Sequence, residues 1–285
     1  MARRREAPLA VFVYGAGKVG ASLTRALRAK GARVVLRPAR RGLPRAIDAD
    51  IVVVAVRDRD LGRLAGEMVG VVSRRSVVVH VAGALGADAL APLRGACAGI
   101  AQMHPMISFA STRFAPSLLR GGVHVQGDPA AVARARRLAR LLGMTARTVP
   151  SLDTVAYHAA AGLVANGAAA LAAVGAELLV KAGVPRGIAP RMLGPLLRSV
   201  ADNLEALGFP DALTGPVRRG DAAGVEKHLG VLKEKLPEAV GLYLAAAEAQ
   251  LPLARAIGDA SEESLAAVAA VLARASAVAR GPCVP

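Results

Sequence analysis

Four stretches of this sequence carry residue types and spacings that could do chemistry. In VYGAGKVGASL, Gly15, Gly17 and Gly20 follow the spacing Gly-x-Gly-x-x-Gly, directly after a short apolar run. Such a loop suits a pyrophosphate. The first glycine permits a tight turn, the second lets the backbone approach the phosphates, and the third lets helix and strand pack closely. Gly15, Ala16, Gly17, Lys18, Val19 and Gly20 are the expected contacts, with the anion resting on free N–H groups at a helix start. The bland alternative is a tight structural turn. In YHAAAGLVAN, His158 and Asn166 stand eight residues apart, within about 80° of each other around a helix, with Gly162 between them. A histidine there could exchange a proton with a carbonyl oxygen during hydride transfer, while the asparagine orients the substrate. A buried core helix with satisfied polar groups is the competing reading. QMHPM offers His104, either as a contact to a nicotinamide or substrate or as a residue ordering the turn beside Pro105. ALTGPVRRGDAAGVEKHL offers Thr214, Arg219 and Asp221 as a carboxylate or cofactor clamp, with Arg218 and His228 as weaker candidates. An ordinary helix–helix connection with Asp221 as a cap explains it equally.

The type of dinucleotide is written in VVLRPARR. An NAD-preferring site places Asp or Glu at the end of the second strand for the ribose hydroxyl. Here that place holds Arg37, Arg40 and Arg41 and no acid, and guanidinium groups match a 2′-phosphate in bidentate geometry. The expectation is NADP(H). Ala55, Val56 and Arg57, together with Ala82 and Gly83, follow the next two apolar runs and should flank the cofactor, because ligands of open α/β sheets bind outside the carboxyl ends of strands.

The elements that must position these residues change character partway along the chain. Val-rich runs at 9–14, 32–37, 49–56, 76–83, 99–104 and 122–127 read as strands buried on both faces, alternating with helices at 18–30 and 128–142. This predicts an α/β domain, a doubly wound, mostly parallel Rossmann sheet, over residues 1–150. Ala/Leu-rich helical stretches then take over at about 152–182, 188–207, 222–235, 237–257 and 261–279. Residues 151–285 are expected to form an all-helical substrate and dimerisation domain, its first helix capped by Ser151.

Composition narrows the classes of function. The chain is 285 residues long and 54% hydrophobic, with aromatics at 2% and no Trp, so Ala, Val and Leu must build the core. A net charge of +16 could suit a nucleic acid. The arginines are scattered, however, with short clusters at 3–5, 37–41 and 134–140, and aromatics to interleave with bases are nearly missing. A solvated Arg-rich surface is the reading, and a nucleic-acid partner is not expected. Cys97 and Cys283 form no disulfide framework or metal spacing, which points to a reducing cytoplasm and no metal. The start MARRREAPLAVFVYGAG imitates a signal peptide but meets Gly-Ala-Gly after only a few apolar residues; it reads as a basic tail leading into a strand. The run from Val155 to Ala176 carries no Asp, Glu, Lys or Arg and is long enough to span a bilayer, yet its Ala/Gly content and its His and Asn argue against a membrane role.

GAGKVG, IVVVAVRD, VVHVAGALGADALAPLR, QMHPMISF, YHAAAGLVANGAAAL and LTGPVRRGDAAGVEKHL together resemble a bacterial family of Rossmann-like proteins with a C-terminal helical domain of unassigned function. That family is similar in architecture to ketopantoate reductase, pyrroline-carboxylate reductase and the 6-phosphogluconate dehydrogenase superfamily. The resemblance implies an NADP oxidoreductase acting on a small carbonyl or imine acid, and a homodimer built through the helical domain. Ketopantoate reductases carry Lys, Asn and Asn where this sequence has His158, Gly162 and Asn166, which supports a proton-donor role for His158 and argues against that substrate. HPM is also similar to prephenate dehydrogenases, in which the residue matching His104 contacts substrate. Two positions depart from the resembled pattern, Ala82 standing for Ser and Arg57 for Pro. The alternative is a non-catalytic NADP-binding sensor or partner protein with the same fold.

Overall fold

A computed structural model describes residues 8–280; the arginine cluster at 3–5 and Cys283 lie outside the described residues. The chain divides into two compact units that meet between Ala165 and Asn166.

The first unit is built on a seven-stranded sheet in the order β2-β1-β3-β4-β5-β6-β7. Its strands are β1 (Ala10–Tyr14), β2 (Arg33–Arg37), β3 (Ile51–Val54), β4 (Val77–His80), β5 (Gly99–Pro105), β6 (Gly122–Gly127) and β7 (Thr145–Arg147). The first five are mutually parallel, as their unbroken apolar runs require, since both faces are covered. On one face α1 (Lys18–Ala29) and α3 (Pro129–Leu141) bury Leu23, Leu27, Ala135 and Leu138 against Val11, Val53 and Val79. On the other, α2 (Leu61–Met68) and a 3₁₀ segment (Ala87–Leu93) bury Leu64, Met68, Leu90 and Leu93 against Val52, Val78 and Ile100.

Two elements differ from the sequence reading. The expected strand at 122–127 is β6, and it runs antiparallel to β5. Loop 106–121 between them contains no helix, and a parallel neighbour would need a crossover element. β7, which the sequence reading did not include, is three residues paired with β6, too short to show a periodicity.

The second unit contains most of α4 (Thr154–Lys181), then α5 (Ala189–Leu207), α6 (Ala222–Lys235), α7 (Val240–Ile257) and α8 (Glu262–Arg280). Its core is Val225, Leu229, Leu244, Leu251, Leu265 and Leu272 from α6, α7 and α8, with Val174 and Leu178 of α4 packed against it. No residue of α4 is buried, so it is not the buried core helix that its composition allowed. By length and composition alone it is the one helix among the described residues able to cross a membrane.

α4 is also capped differently from expectation. Ser151 sits at φ 53°, in the left-handed turn before the helix, and is not the cap. Asp153 is, its Oδ1 accepting from the N–H groups of Val155 (2.9 Å) and Ala156 (3.0 Å). A carboxylate two residues closer to the first turn reaches its orphan donors.

Candidate active site

The glycine loop lies at the carboxyl end of β1, where the strand order reverses between β1 and β3. Gly15 has φ 108°, and a Cβ there would overlap the carbonyl oxygen of Ala55. A Cβ on Gly20 would overlap the carbonyl oxygen of Gly15. Both glycines are therefore demanded by close packing of backbone on backbone. Gly17 differs. Its backbone is extended (φ −70°, ψ −172°), and a Cβ would meet nothing within 4 Å. The space over Gly17 opens beside the first turn of α1, which has neither a side-chain cap nor an acidic residue. Unpaired N–H groups with an open approach are what an anion needs.

The arginines at the end of β2 do different work. Arg37 donates to the carbonyls of Gly42 (2.6 Å) and Arg41 (2.9 Å), bracing its own loop, while its carbonyl accepts from Gly15 N (2.9 Å). Arg40 and Arg41 stand exposed on a 3₁₀ turn (Ala39–Arg41). Ala55 follows β3 against Gly15, Val56 is half-buried and Arg57 is exposed.

A second cluster occupies the far end of the sheet. Side chains alternate along a strand, so the face carrying Val78 and Ile100 continues as His80, Gln102 and His104. Register then sets Gln102 beside His80 and Gln126, and His104 beside His124. Gln102 Nε2 donates to the carbonyls of Ala82 (2.9 Å) and Gly83 (3.3 Å), and its Oε1 accepts from Gln126 Nε2 (2.9 Å) and faces His124 Nδ1 (3.3 Å). His80 Nδ1 accepts from Ala82 N (3.3 Å), which assigns its proton to Nε2, 2.9 Å from the carbonyl of Gly86. These bonds hold residues 82–86 in place.

The start of α4 lies over this face. Thr154 Oγ1 donates to the carbonyl of Ala84 (3.0 Å). The Tyr157 ring meets His104 edge-on (centroids 5.4 Å, 80°) and lies 5.6 Å from His124. His158 meets His104 in the same manner (5.6 Å, 78°). Sequence reasoning singled out His104 and His158, and the structure brings them together. It missed His80, Gln102, His124 and Tyr157; the first three were signalled only by a polar residue within an otherwise apolar strand run, and Tyr157, on α4, by nothing comparable.

Burial holds the His104 imidazole down to about 4, with His158, His124 and His80 adding to the effect, so it is neutral at pH 7. Burial lowers His80 and His124 too and raises Tyr157. His158 is exposed and in reach of water.

In the second unit, Asp221 caps α6, accepting from Gly224 N (2.8 Å). Arg218 braces the loop by pairing with Asp259 (2.7 and 2.8 Å) and donating to the carbonyls of Asp211 and Leu213. Thr214 and Arg219 are exposed, as is Asn166 at the unit's start. His228 Nδ1 lies 3.1 Å from the Tyr243 hydroxyl.

Residues 122–250 match the family described as Domain of unknown function (DUF2520). No curated protein matches the sequence. Among solved structures, the chain is similar to BF3122 of Bacteroides fragilis, by its name a candidate NADP oxidoreductase. That similarity has 22% identity and a TM-score of 0.66, covering 85% of this chain and 98% of the other. It is similar to TM1727 of Thermotoga maritima at 22% identity and TM-score 0.62, covering 86% and 98%. It is also similar to the Plasmodium falciparum pyrroline carboxylate reductase, solved with NADP bound, at 13% identity and TM-score 0.58, covering 91% and 98%. At these identities the likeness establishes the fold: a Rossmann-type domain followed by a helical one.

Proposed function

We propose that this chain is an NADP(H)-dependent oxidoreductase that moves hydride to or from a small carbonyl or imine acid. The observation that carries the reading is the open space over Gly17 beside the uncapped first turn of α1, framed by two glycines that tolerate no side chain. Gly15–Gly20 would hold the pyrophosphate, and Arg40 and Arg41, exposed where an acid would be required for NAD, would meet the 2′-phosphate. The bound cofactor supplies the hydride. The chain's own residues do the rest. His158 holds a proton at a ring nitrogen in contact with solvent and passes it to the reacting heteroatom. His104, neutral and nearly buried, orients that atom. Asn166 and Arg219 are assigned to orientation of the substrate and to its carboxylate.

Titration with NADPH and, separately, NADH, followed by nicotinamide fluorescence, tests this. Micromolar NADPH binding with much weaker NADH binding is expected, and no binding of either would overturn the reading. The second reading, a sensor that binds NADPH without turnover, is favoured by Ala82, whose methyl leaves no hydroxyl at the end of β4. NADPH oxidation dependent on an added keto acid or imine separates the two. His158→Ala should abolish it while leaving NADPH affinity within a few-fold.

The second unit also supports a homodimer. α5 is strongly amphipathic, yet Ala189 is its one buried residue, and Met192, Leu196, Val200 and Leu207 recur along it exposed. An apolar stripe at that spacing is built to be covered. A second copy brings an identical stripe, and so the self-complementary contact of a two-fold pair. Two cysteines in 285 residues accord with a cytoplasmic location.

A further inference from the structure

The last residue pair of the ladder between β1 and β2 is Tyr14 and Arg37, which face each other in register. Both side chains reach the same turn. Tyr14 is buried, and its hydroxyl donates to the carbonyl of Ala39 (3.2 Å). Arg37 grips the far end of the turn with two prongs, Nε on the carbonyl of Gly42 (2.6 Å) and Nη2 on that of Arg41 (2.9 Å). The carbonyl of Arg37 itself accepts from Gly15 N (2.9 Å), so one residue ties the glycine loop to the arginine turn.

The turn needs this support. Its 3₁₀ segment, Ala39–Arg41, is a single turn whose backbone supplies two bonds, Arg41 N to the carbonyl of Pro38 and Gly42 N to that of Ala39, both 3.0 Å. One isolated 3₁₀ turn does not hold its shape in water. Arg40 and Arg41 stand exposed on it, and among the described residues no carboxylate pairs with either of them or with Arg37. Residues 33–47 include no acid at all. Carbonyl oxygens repel an anion, and those of Ala39, Arg41 and Gly42 are each engaged by a donor. What the turn leaves open to solvent is positive charge.

We infer that Tyr14 and Arg37 are positioning residues that set the preference for a 2′-phosphorylated adenosine. They hold the turn in one shape before the ligand arrives, and Arg40 and Arg41 supply the charge that meets the phosphate. The inference rests on the NADP(H) reading and deepens it. Arg37 is alike in charge to its two neighbours, but its guanidinium is committed to carbonyl oxygens. A lysine cannot take its place, because an ammonium is a point charge on a flexible stem whereas the guanidinium fork reaches both carbonyls at once. A ligand that meets an ordered turn is spared the entropy of ordering it. Freeing roughly one residue of backbone weakens binding about tenfold. That loss falls on ligands carrying the 2′-phosphate, since the turn serves no other part of the ligand.

The test is calorimetric titration of the full-length protein with 2′,5′-ADP and, separately, 5′-AMP, which differ only in the 2′-phosphate. The readout is the ratio of the two affinities, which a general loosening of the fold would not move. The wild type should favour 2′,5′-ADP. Arg37→Lys and Arg37→Gln should lower the ratio alike, about tenfold, and Tyr14→Phe about threefold, while 5′-AMP affinity stays within about twofold. Tyr14 is buried and uncharged, so its effect on the ratio can pass only through the turn. A ratio kept by Arg37→Lys or by Tyr14→Phe would overturn the inference, as would equal weakening of both ligands. Were Arg37→Gln alone to lose the ratio, the Arg37 charge would act on the phosphate directly, which also overturns it. In each of these cases the wild type still prefers 2′,5′-ADP and the NADP(H) reading stands; a wild type without that preference overturns both.

Discussion

Gly17→Ala separates binding from folding. The backbone at Gly17 is extended, which alanine adopts, and the added methyl meets nothing within 4 Å. Alanine is a poorer N-cap than glycine by about 0.5–1 kcal/mol, and it gains about 0.4–1 kcal/mol from a less mobile unfolded chain. The terms nearly cancel, so stability should stay within about 1 kcal/mol and Tm within about 4 °C. The methyl nevertheless fills the approach to the first turn of α1. Displacing a pyrophosphate far enough to lose one or two charge-assisted N–H···O bonds, at about 1.5 kcal/mol each, weakens NADPH by about 10- to 150-fold. Gly20→Ala is the contrasting variant. Its Cβ would strike the backbone oxygen of Gly15, so stability should fall by about 1–3 kcal/mol or more, and binding with it. Thermal unfolding and fluorescence titration of both variants decide the matter. A folded Gly17→Ala protein that binds NADPH like the wild type would refute the anion site, and one that unfolds would refute the account of the loop.

Three further outcomes follow from the geometry. The His104 imidazole is held at about 4 in the folded protein against 6.5 for the free group. The unfolded chain therefore binds more protons between those values. The stability this contributes is complete above pH 6.5 and is lost as pH falls toward 4, on the order of 2–3 kcal/mol in all. Urea unfolding at pH 7 and 4.5 should show that loss, and His104→Gln should remove most of it; an unchanged difference would contradict the burial argument. Asp153→Ala should cost about 1 kcal/mol by uncapping α4, whereas Ser151→Ala should stay within about 0.5 kcal/mol, as thermal or urea unfolding will read. The proposed α5-mediated dimer predicts that the wild type scatters light as a dimer and Leu196→Glu as a monomer, with far-ultraviolet circular dichroism unchanged; a monomeric wild type would refute the dimer, and a dimer surviving the substitution would move the interface off α5.

Much of the architecture was legible because its causes are local. Unbroken Val runs announce strands covered on both faces, and the glycine spacing announces a turn that side chains cannot enter. Roles that depend on which partner is nearest were not legible. Arg37, Arg40 and Arg41 are alike in sequence, yet Arg37 is spent on the carbonyls of its own loop while the other two stand exposed. Arg218 and Arg219 divide in the same way, with Arg218 tied to Asp259, forty-one residues away. Ser151 was the expected cap, and the turn that puts it at positive φ leaves that place to Asp153.

By itself the sequence determined the type of most elements, the place of the glycine loop, and which histidines were worth watching, because periodicity and turn chemistry act over a few residues. Only the tertiary structure decided that His80, Gln102, His104 and His124 form one patch and that Tyr157 and His158 close over it. Those contacts depend on the register of β4, β5 and β6 and on where α4 crosses the sheet face. Register is a long-range property, set by how whole faces bury, and no window of neighbouring residues contains it.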